Sequence, residues 1–319
     1  MKCLALMSGG LDSFLAIKVI QAQGIEVLAV HVATPFGVGS GGGAPALASA
    51  HGIPLREMSL GDELLRVVER PRHGRGGNMN PCIDCHALMF RRAAALFPET
   101  GASFLVTGEV LGQRPMSQHR RALGIVERES GLEGLILRPL SAKLLDPTIP
   151  ETKGWVDRER LLDINGRTRT RQLAMARELG LEDPPTPAGG CLLTDPGYSE
   201  RLRNLLGQGA TLTDHLARVI RFGRYVRFSP GAFAMVGRNE RDNAELERLQ
   251  QADEWILRPA NCVGPVVLGV GALDAEQKGR AAALLARYAD APPDGRVEIE
   301  ARLGPGGAPE RLAARKSGD

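Results

Sequence analysis

Lys2-Cys-Leu-Ala-Leu-Met7, followed at once by Ser8-Gly9-Gly10-Leu11-Asp12-Ser13, is the stretch that decides the fold. The apolar run reads as a short buried strand. The chain then turns on two glycines and continues as an amphipathic helix through Phe14, Leu15, Ile17, Val19 and Ile20, which Gly24 ends. A strand–turn–helix of this kind makes an anion site. The first N–H groups of the helix have no partner within it, and the helix dipole favours negative charge in front of them. Gly9 and Gly10 let the backbone close on phosphate oxygens without a Cβ in the way, and Ser8 and Ser13 add hydroxyl donors. Asp12 is out of place beside a phosphate unless Mg²⁺ sits between them. No Gly-Lys-Ser/Thr follows at the Walker A spacing, and the turn lacks G-x-G-x-x-G, so neither of those nucleotide motifs describes it.

Working outward, further strands read at Glu26–Val32, Ile53–Met58, Phe104–Thr107 and Leu135–Leu140, with helical stretches at 46–51, 62–69 and 85–97. Strands alternating with helices predict an α/β fold, a doubly wound parallel sheet. Ligands bind at the carboxyl ends of the strands in such sheets, where the Ser-Gly-Gly turn and Thr107-Gly108 both fall. The Gly-rich stretch 34–45 is expected as a mobile loop over the nucleotide. Asp157–Gly180 carries a helical pattern with a basic face, broken by Pro184-Pro185-Thr-Pro187, and Asp195-Pro196-Gly197 opens another helix. From Val226 to about Leu303 the pattern is short strands with one helix, which predicts a second, smaller α+β domain. The expected organisation is a nucleotide-binding domain over 1–205, the smaller domain over 212–303, and a disordered tail over 304–319.

The chain has 319 residues, enough for two or three domains with their own cores; 43% hydrophobic and 24% charged residues are globular proportions. No apolar run is long enough to span a bilayer, and the five apolar residues after Lys2 are too few for a signal peptide. The expectation is a cytoplasmic protein without a membrane partner. The net charge of +3 permits a nucleic-acid partner without demanding one. Basic residues gather at Arg66-Arg70-Arg72-His73-Arg75, His119-Arg120-Arg121, Arg167-Arg169-Arg171 and Arg218-Arg221-Arg224-Arg227. Each group alone reads as a solvated face; several groups in a chain with a nucleotide site point toward a polyanionic substrate.

Five cysteines without an export signal direct attention away from disulfides and toward metal or catalytic roles. Asn80-Pro81-Cys82-Ile83-Asp84-Cys85 puts two thiols at a helix start, where the dipole is expected to lower thiol pKa. Cys191 follows Gly189-Gly190, a turn that permits close backbone approach. Cys3 reads as a small core residue and Cys262 as core or loop. A closed zinc site needs four ligands, the fourth here being His86 or Asp84. A [4Fe–4S] cluster takes four thiolates, so three would leave one iron open. A persulfide-carrying dithiol and unrelated buried thiols are the other readings.

Taken together, these motifs resemble those of the PP-loop ATP pyrophosphatases that thiolate tRNA. Ser8-Gly-Gly-Leu-Asp-Ser13 is similar to the PP-loop, and Asn80-Pro-Cys-Ile-Asp-Cys85 to the segment bearing the first active-site cysteine. Thr107-Gly-Glu-Val-Leu-Gly-Gln-Arg-Pro-Met-Ser-Gln118 and Leu137-Arg-Pro-Leu140 resemble segments of the tRNA 4-thiouridine synthetases, and Cys191 matches the second cysteine of tRNA thiolases. The tRNA 2-thiouridylases share the PP-loop and the distant cysteine. The resemblance covers about the first 200 residues. The sequence as it stands is expected to lack the THUMP module that precedes the loop in typical 4-thiouridine synthetases, and the rhodanese domain that follows. Val236-Gly-Arg-Asn-Glu-Arg-Asp-Asn-Ala-Glu-Leu246 resembles the core motif of the NFACT-R domain, a proposed RNA-binding module, with Arg238, Asn239 and Asn243 as phosphate or base contacts. The alternative is a strand-to-helix junction in which Asn239 or Asp242 caps the helix.

The resemblance implies an ATP-dependent tRNA sulfurtransferase that adenylates a uridine carbonyl and exchanges its oxygen for sulfur, 4-thiouridine being the favoured product. ATP would be held by Ser8, Gly9, Gly10, Asp12, Ser13, Thr107, Gly108 and Gln113, with Mg²⁺ near Asp12. Cys85, Cys191 and Asp12 would be catalytic, and Cys82, Cys85 and Cys191 would hold a [4Fe–4S] cluster, with Zn²⁺ or no metal as alternatives. Gln113, Ser117 and Gln118 are candidate nucleotide or uridine contacts, and Asp84 and His86 candidate supports for the metal ligands. Arg72, Arg75, Arg221, Arg224 and Arg238 are the candidate RNA contacts. The partners expected are tRNA and a sulfur donor (sulfide or a cysteine desulfurase), with a homodimer as the assembly considered. Three rival readings are a 2-thiouridylase working through a cysteine persulfide, a PP-loop ligase acting on a small carboxylate, and a non-catalytic RNA-binding protein.

Overall fold

The computed structural model describes residues 1–37, 43–181 and 190–316. Part of the expected nucleotide loop (38–42), the proline-rich break (184–187) and Ala188-Gly189 lie outside them. Two compact units divide the chain, Met1–Asp195 and Pro196–Asp319, so the boundary falls before the expected residue 205.

In the first unit β1 (Lys2–Leu6), α1 (Leu11–Gln21), β2 (Glu26–Ala33), α2 (Gly43–Ala50), β3 (Leu55–Ser59), α3 (Gly61–Glu69), α4 (Cys82–Ala94) and the one-turn α5 (Phe97–Thr100) lead to β4 (Leu105–Val106). After it come α6 (Arg120–Ser130), β5 (Ile136–Leu137), the short α7 (Ile149–Thr152) and α8 (Thr170–Glu178). The five strands form a parallel sheet in the order β3-β2-β1-β4-β5, the expected doubly wound α/β architecture. Cys3, Leu4 and Ala5 of β1 are buried on both faces, as a central parallel strand requires. One layer of core gathers Cys3, Phe14, Ile17, Phe104 and Ala176; the other gathers Leu4, Val30, Phe90, Val126 and Ile136. Cys3 is therefore a core residue. The helical pattern expected over 157–180 is realised only at α8, with a 3₁₀ turn at Arg158–Arg160 before it. Strand order reverses between β1 and β4, and the crevice at such a switch point is the ligand site of an open α/β sheet.

The second unit begins with α9 (Pro196–Gly207) and α10 (Asp214–Val219), and continues through β6 (Arg224–Ser229), β7 (Ala232–Val236), α11 (Glu240–Leu249), β8 (Trp255–Pro259) and β9 (Val267–Val270). It ends with α12 (Ala275–Tyr288), β10 (Arg296–Leu303) and β11 (Glu310–Arg315). Its six strands form a sheet ordered β11-β10-β8-β9-β7-β6, paired antiparallel. In β10 the buried residues Val297, Ile299 and Ala301 alternate with residues facing out, so one face meets the core. Two helices, not one, accompany these strands. The expected disordered tail is corrected as well: β11 pairs with β10 from Arg296↔Arg315 to Ala301↔Glu310, and Leu312 and Ala314 pack on the core. The compositional signal for disorder lost to pairing with an open sheet edge. Among the described residues no helix is long and apolar enough to cross a membrane.

Candidate functional site

The Ser8–Ser13 turn leaves the carboxyl end of β1 beside the switch point. Gly9 adopts φ +80°, and a Cβ there would stand 2.8 Å from the Ala44 backbone nitrogen at the start of α2. Both a left-handed conformation and a close approach thus require glycine. The hydroxyls shape the turn: Ser13 Oγ donates to the Gly10 carbonyl at 2.8 Å, lies 3.2 Å from Ser8 Oγ, and the Gly10 N–H points to Ser8 Oγ at 3.3 Å. Gly108, expected as a nucleotide contact, packs on α1 from the end of β4. A Cβ there would come within 2.4 Å of the Ser13 nitrogen. This glycine lets β4 and the turn share one crevice.

Asp12 is buried and accepts from Gln113 Nε2 at 2.8 Å. Arg169 Nη2 lies 3.6 Å from the same Asp12 oxygen, and Gln172 Nε2, from α8, reaches Gln113 Oε1 at 3.5 Å. Several atoms of this group are buried without a hydrogen-bond partner: Asp12 Oδ1, Arg169 Nε and Nη2, and Gln172 Oε1. Gln118 Oε1 is in the same condition. Buried polar atoms are normally satisfied, so a group of orphans beside an anion-binding turn marks where a polar ligand belongs. The free Asp12 oxygen is a hard donor of the kind Mg²⁺ takes. Arg169 and Gln172 were not distinguishable from the sequence; Arg169 stood there only as one member of a basic run.

A buried ionic network borders this group. Glu109 receives Arg138 Nε at 2.9 Å and Thr107 Oγ1 at 3.2 Å, and His86 Nδ1 lies 2.8 Å from its other oxygen. Arg138 also meets Glu127 at 2.5 Å. Burial alone would raise the Glu109 carboxyl, but the Arg138 guanidinium and His86 outweigh it and hold it at about 2. Thr107 and His86, expected near ATP and the metal, are thus partners of one carboxylate. Through it, the helix that carries Cys82 and Cys85 is tied to the end of β4.

The thiols are brought together by loop contacts. Asn78 Nδ2 donates to the Thr194 carbonyl at 2.8 Å and the Met79 N–H to the Leu193 carbonyl at 3.1 Å. Cys191 bridges Gly37 beyond β2, and the Leu192 N–H donates to the Phe36 carbonyl at 2.8 Å. Asn80 Nδ2 sits 3.1 Å from Cys82 Sγ. The expected lowering of thiol pKa at the helix start is not found at Cys85. Burial first, then the neighbouring Cys191 and Cys82 sulfurs and Asp84, push its thiol well above the ordinary thiol range. The Cys191 residue is exposed at the surface, yet desolvation around its sulfur pushes that thiol up to about 11. Burial outweighs the dipole here. Three soft sulfur donors that influence one another fit a thiophilic metal centre by chemistry. Among the described residues, no three His, Cys, Asp or Glu side chains are already drawn into ligating positions. Asp84 and His86, weighed as a fourth ligand, are engaged elsewhere: Asp84 accepts the Arg72 and His73 N–H groups at 3.1 and 3.0 Å.

The expected RNA contacts are dispersed. Arg72 pairs with Glu129 at 2.7 Å, and Arg75 donates to the Val68 and Glu69 carbonyls at the end of α3, at 2.9 and 2.8 Å. Arg238 pairs with Asp242 at 2.6 Å. Asn239 caps α11, accepting the Asp242 N–H at 2.9 Å, and Asn243 Oδ1 accepts the Val266 N–H at 3.0 Å. Arg224 lies over the Tyr288 ring at 4.6 Å, and burial lowers the Arg221 pKa.

Comparison with known proteins follows this geometry. Residues 223–314 match the family model of the NFACT protein RNA binding domain, a span that reaches into β11. The chain is 27% identical over 188 residues to a probable tRNA sulfurtransferase of Thermococcus kodakarensis, covering 56% of this chain and 43% of that protein. It is 28% identical over 232 residues to the tRNA-specific 2-thiouridylase MnmA of Acidothermus cellulolyticus, covering 65% of this chain and 59% of that protein. The chain is thus similar, over part of its length, to proteins named for tRNA thiolation. It spans less than two thirds of the length of these two curated relatives. A 4-thiouridine synthetase–RNA complex with bound ATP aligns over 68% of this chain and 53% of that one, with 21% identity and a TM-score of 0.38. The residues that match the NFACT RNA binding domain model take up most of the second unit.

Proposed function

We propose that the chain is an ATP-dependent tRNA sulfurtransferase of the cytoplasm, with 4-thiouridine as product. One observation carries the reading. An anion-cradling turn, the orphaned polar group around Asp12 and, through the His86–Glu109 bond, the helix of Cys82 and Cys85 gather at one end of a parallel sheet. ATP phosphates meet the free N–H groups at the start of α1, and Arg169 faces their charge from beside Asp12. Asp12 Oδ1 would hold Mg²⁺, which neutralises phosphate charge when bound. The uridine carbonyl oxygen attacks the α phosphorus and pyrophosphate leaves. The oxygen, a poor leaving group as a carbonyl, is then a good one as AMP. Sulfur attacks the activated carbon and AMP departs.

Cys82, Cys85 and Cys191 would hold a [4Fe–4S] cluster, whose contribution when bound is to present sulfur for transfer. Three cysteines, where a persulfide relay needs two, suit a metal centre, and coordination deprotonates a thiol outright. This favours the metal centre over a free persulfide pair. Anaerobic purification with iron and sulfide quantitation, on the wild type and on Cys82→Ala, tests the centre. Iron lost in the variant supports it, stoichiometric zinc makes the cysteines structural, and metal-free active protein moves the chemistry to a persulfide. Nucleoside analysis of tRNA incubated with ATP and sulfide tests the product: 4-thiouridine agrees with the reading, and 2-thiouridine replaces it with the 2-thiouridylase one. ATP turnover that ignores tRNA points to a ligase.

A further inference from the structure

β6 is an edge strand of the second sheet, and its alternate residues Arg224, Val226 and Phe228 share the face that looks toward α12. Opposite them, Arg280, Ala283, Leu284 and Arg287 lie on one stripe of α12. Val226, Phe228, Arg280, Ala283, Leu284 and Arg287 line a groove of about 270 Å³. Its floor is apolar and its rim is cationic. Arg280 lies 4.9 Å above the Phe228 ring, while Arg224 and Arg287 lie 4.6 and 5.7 Å from the Tyr288 ring.

Among the described residues none of these three arginines pairs with a carboxylate, although ion pairs are frequent elsewhere in the unit, as at Arg238–Asp242 and Arg258–Glu247. Two guanidiniums share one ring without a counter-ion. Like charges held together in this way repel, and an anion from outside relieves them. Guanidinium planes lying on aromatic rings are also the surfaces on which nucleobases stack.

We infer that the β6–α12 groove binds single-stranded RNA, with bases on the Phe228 and Tyr288 faces and phosphates on Arg224, Arg280 and Arg287. The inference rests on the tRNA-modifying reading only for the identity of the polyanion. The extent of the groove selects the strand state. Arg280 and Arg287 are seven residues apart on α12, a rise of about 10 Å. That reaches phosphates along one strand and falls far short of the roughly 16 base pairs that a double-stranded-RNA-binding domain spans. Of the arginines singled out in the sequence as RNA contacts, Arg224 belongs to this groove.

Fluorescence anisotropy of the full chain with a labelled oligouridylate of about 12 nucleotides tests the groove. Salt is varied between about 50 and 200 mM. The double variant Arg280→Gln/Arg287→Gln, exposed on both counts, should bind about tenfold more weakly. Its slope of log affinity against log salt should fall by about 1.4, two phosphate contacts at about 0.7 each. Phe228→Ala should also lose about tenfold while Phe228→Trp retains binding, which separates stacking from mere folding. The same sequence as a duplex should bind less tightly, and an acidic peptide of equal charge should not compete. An unchanged double variant, equal binding of the duplex, or full competition by the peptide overturns the groove as a single-strand RNA site. A wild-type chain that thiolates tRNA yet leaves the oligonucleotide unbound overturns the groove and leaves the thiolation reading standing. Oligonucleotide binding that depends on the groove in a chain that thiolates nothing does the reverse.

Discussion

Arg169 and Glu109 both border the crevice at the strand-order switch, Glu109 buried and Arg169 partly so, and they differ in what completes them. Two Arg169 nitrogens have no hydrogen-bond partner, and its ion pair to Asp12 is long at 3.6 Å, which leaves room for a ligand to complete it. Arg169→Gln should therefore leave the melting temperature within a few degrees of wild type and raise the KM for ATP by about tenfold, the 1.4 kcal/mol of one charged contact. An unchanged KM would make Arg169 a partner of Asp12 alone. Glu109 is complete within the protein, with Arg138, His86 and Thr107 around it. Its carboxyl, held at about 2 against an ordinary 4.5, contributes stability that is fully present above about 4.5 and is lost as pH falls toward 2. Glu109→Gln should remove that part of the acid limb from a plot of unfolding free energy against pH. At neutral pH it should cost about 3–5 kcal/mol, because the buried Arg138 charge keeps only Glu127. A variant whose acid limb matches wild type would show that Glu109 is not held low. Gly108 and the Ser8–Ser13 hydroxyls were legible as members of a crevice. That Gly108 serves by letting β4 approach α1 was not legible, because the missing Cβ matters only against a neighbour distant in sequence.

At the scale of elements, local pattern predicted the strands best where burial is two-sided and the run is long. β1 and β2 are found nearly where expected, while β4 and β5 shrink to two residues each, since pairing length depends on the neighbouring strand. The helix expected over 157–180 shortens to α8 because a basic periodic face does not by itself create something to pack on. β11 is the clearest gain from the structure. Its composition of Arg, Ala and Glu carries little strand signal, and only β10 beside it supplies the hydrogen bonds and the core for Leu312. Removing residues 304–319 should lower the thermal midpoint of the second unit by several degrees and expose the β10 edge, raising dye binding to apolar surface. An unchanged midpoint would return the segment to the tail first expected. Arg75 illustrates the same dependence: a basic loop residue in the sequence, it donates to the last carbonyls of α3 in the fold.

Across the whole molecule, net charge predicted little about where RNA would meet the chain. A total of +3 is a sum, and pairing decides which cations remain available. Arg72, Arg238 and Arg218 are each spoken for by a carboxylate, while Arg224, Arg280 and Arg287 converge on aromatic rings without one among the described residues. The sequence by itself determined the α/β sheet, the glycine turn after β1 and the family resemblance, because these rest on contiguous residues whose spacing acts locally. Tertiary structure alone decided which thiols feel one another, which polar atoms are left for a ligand, and which arginines are free. Those are properties of pairs far apart in the chain, and burial, rather than residue type, sets their chemistry.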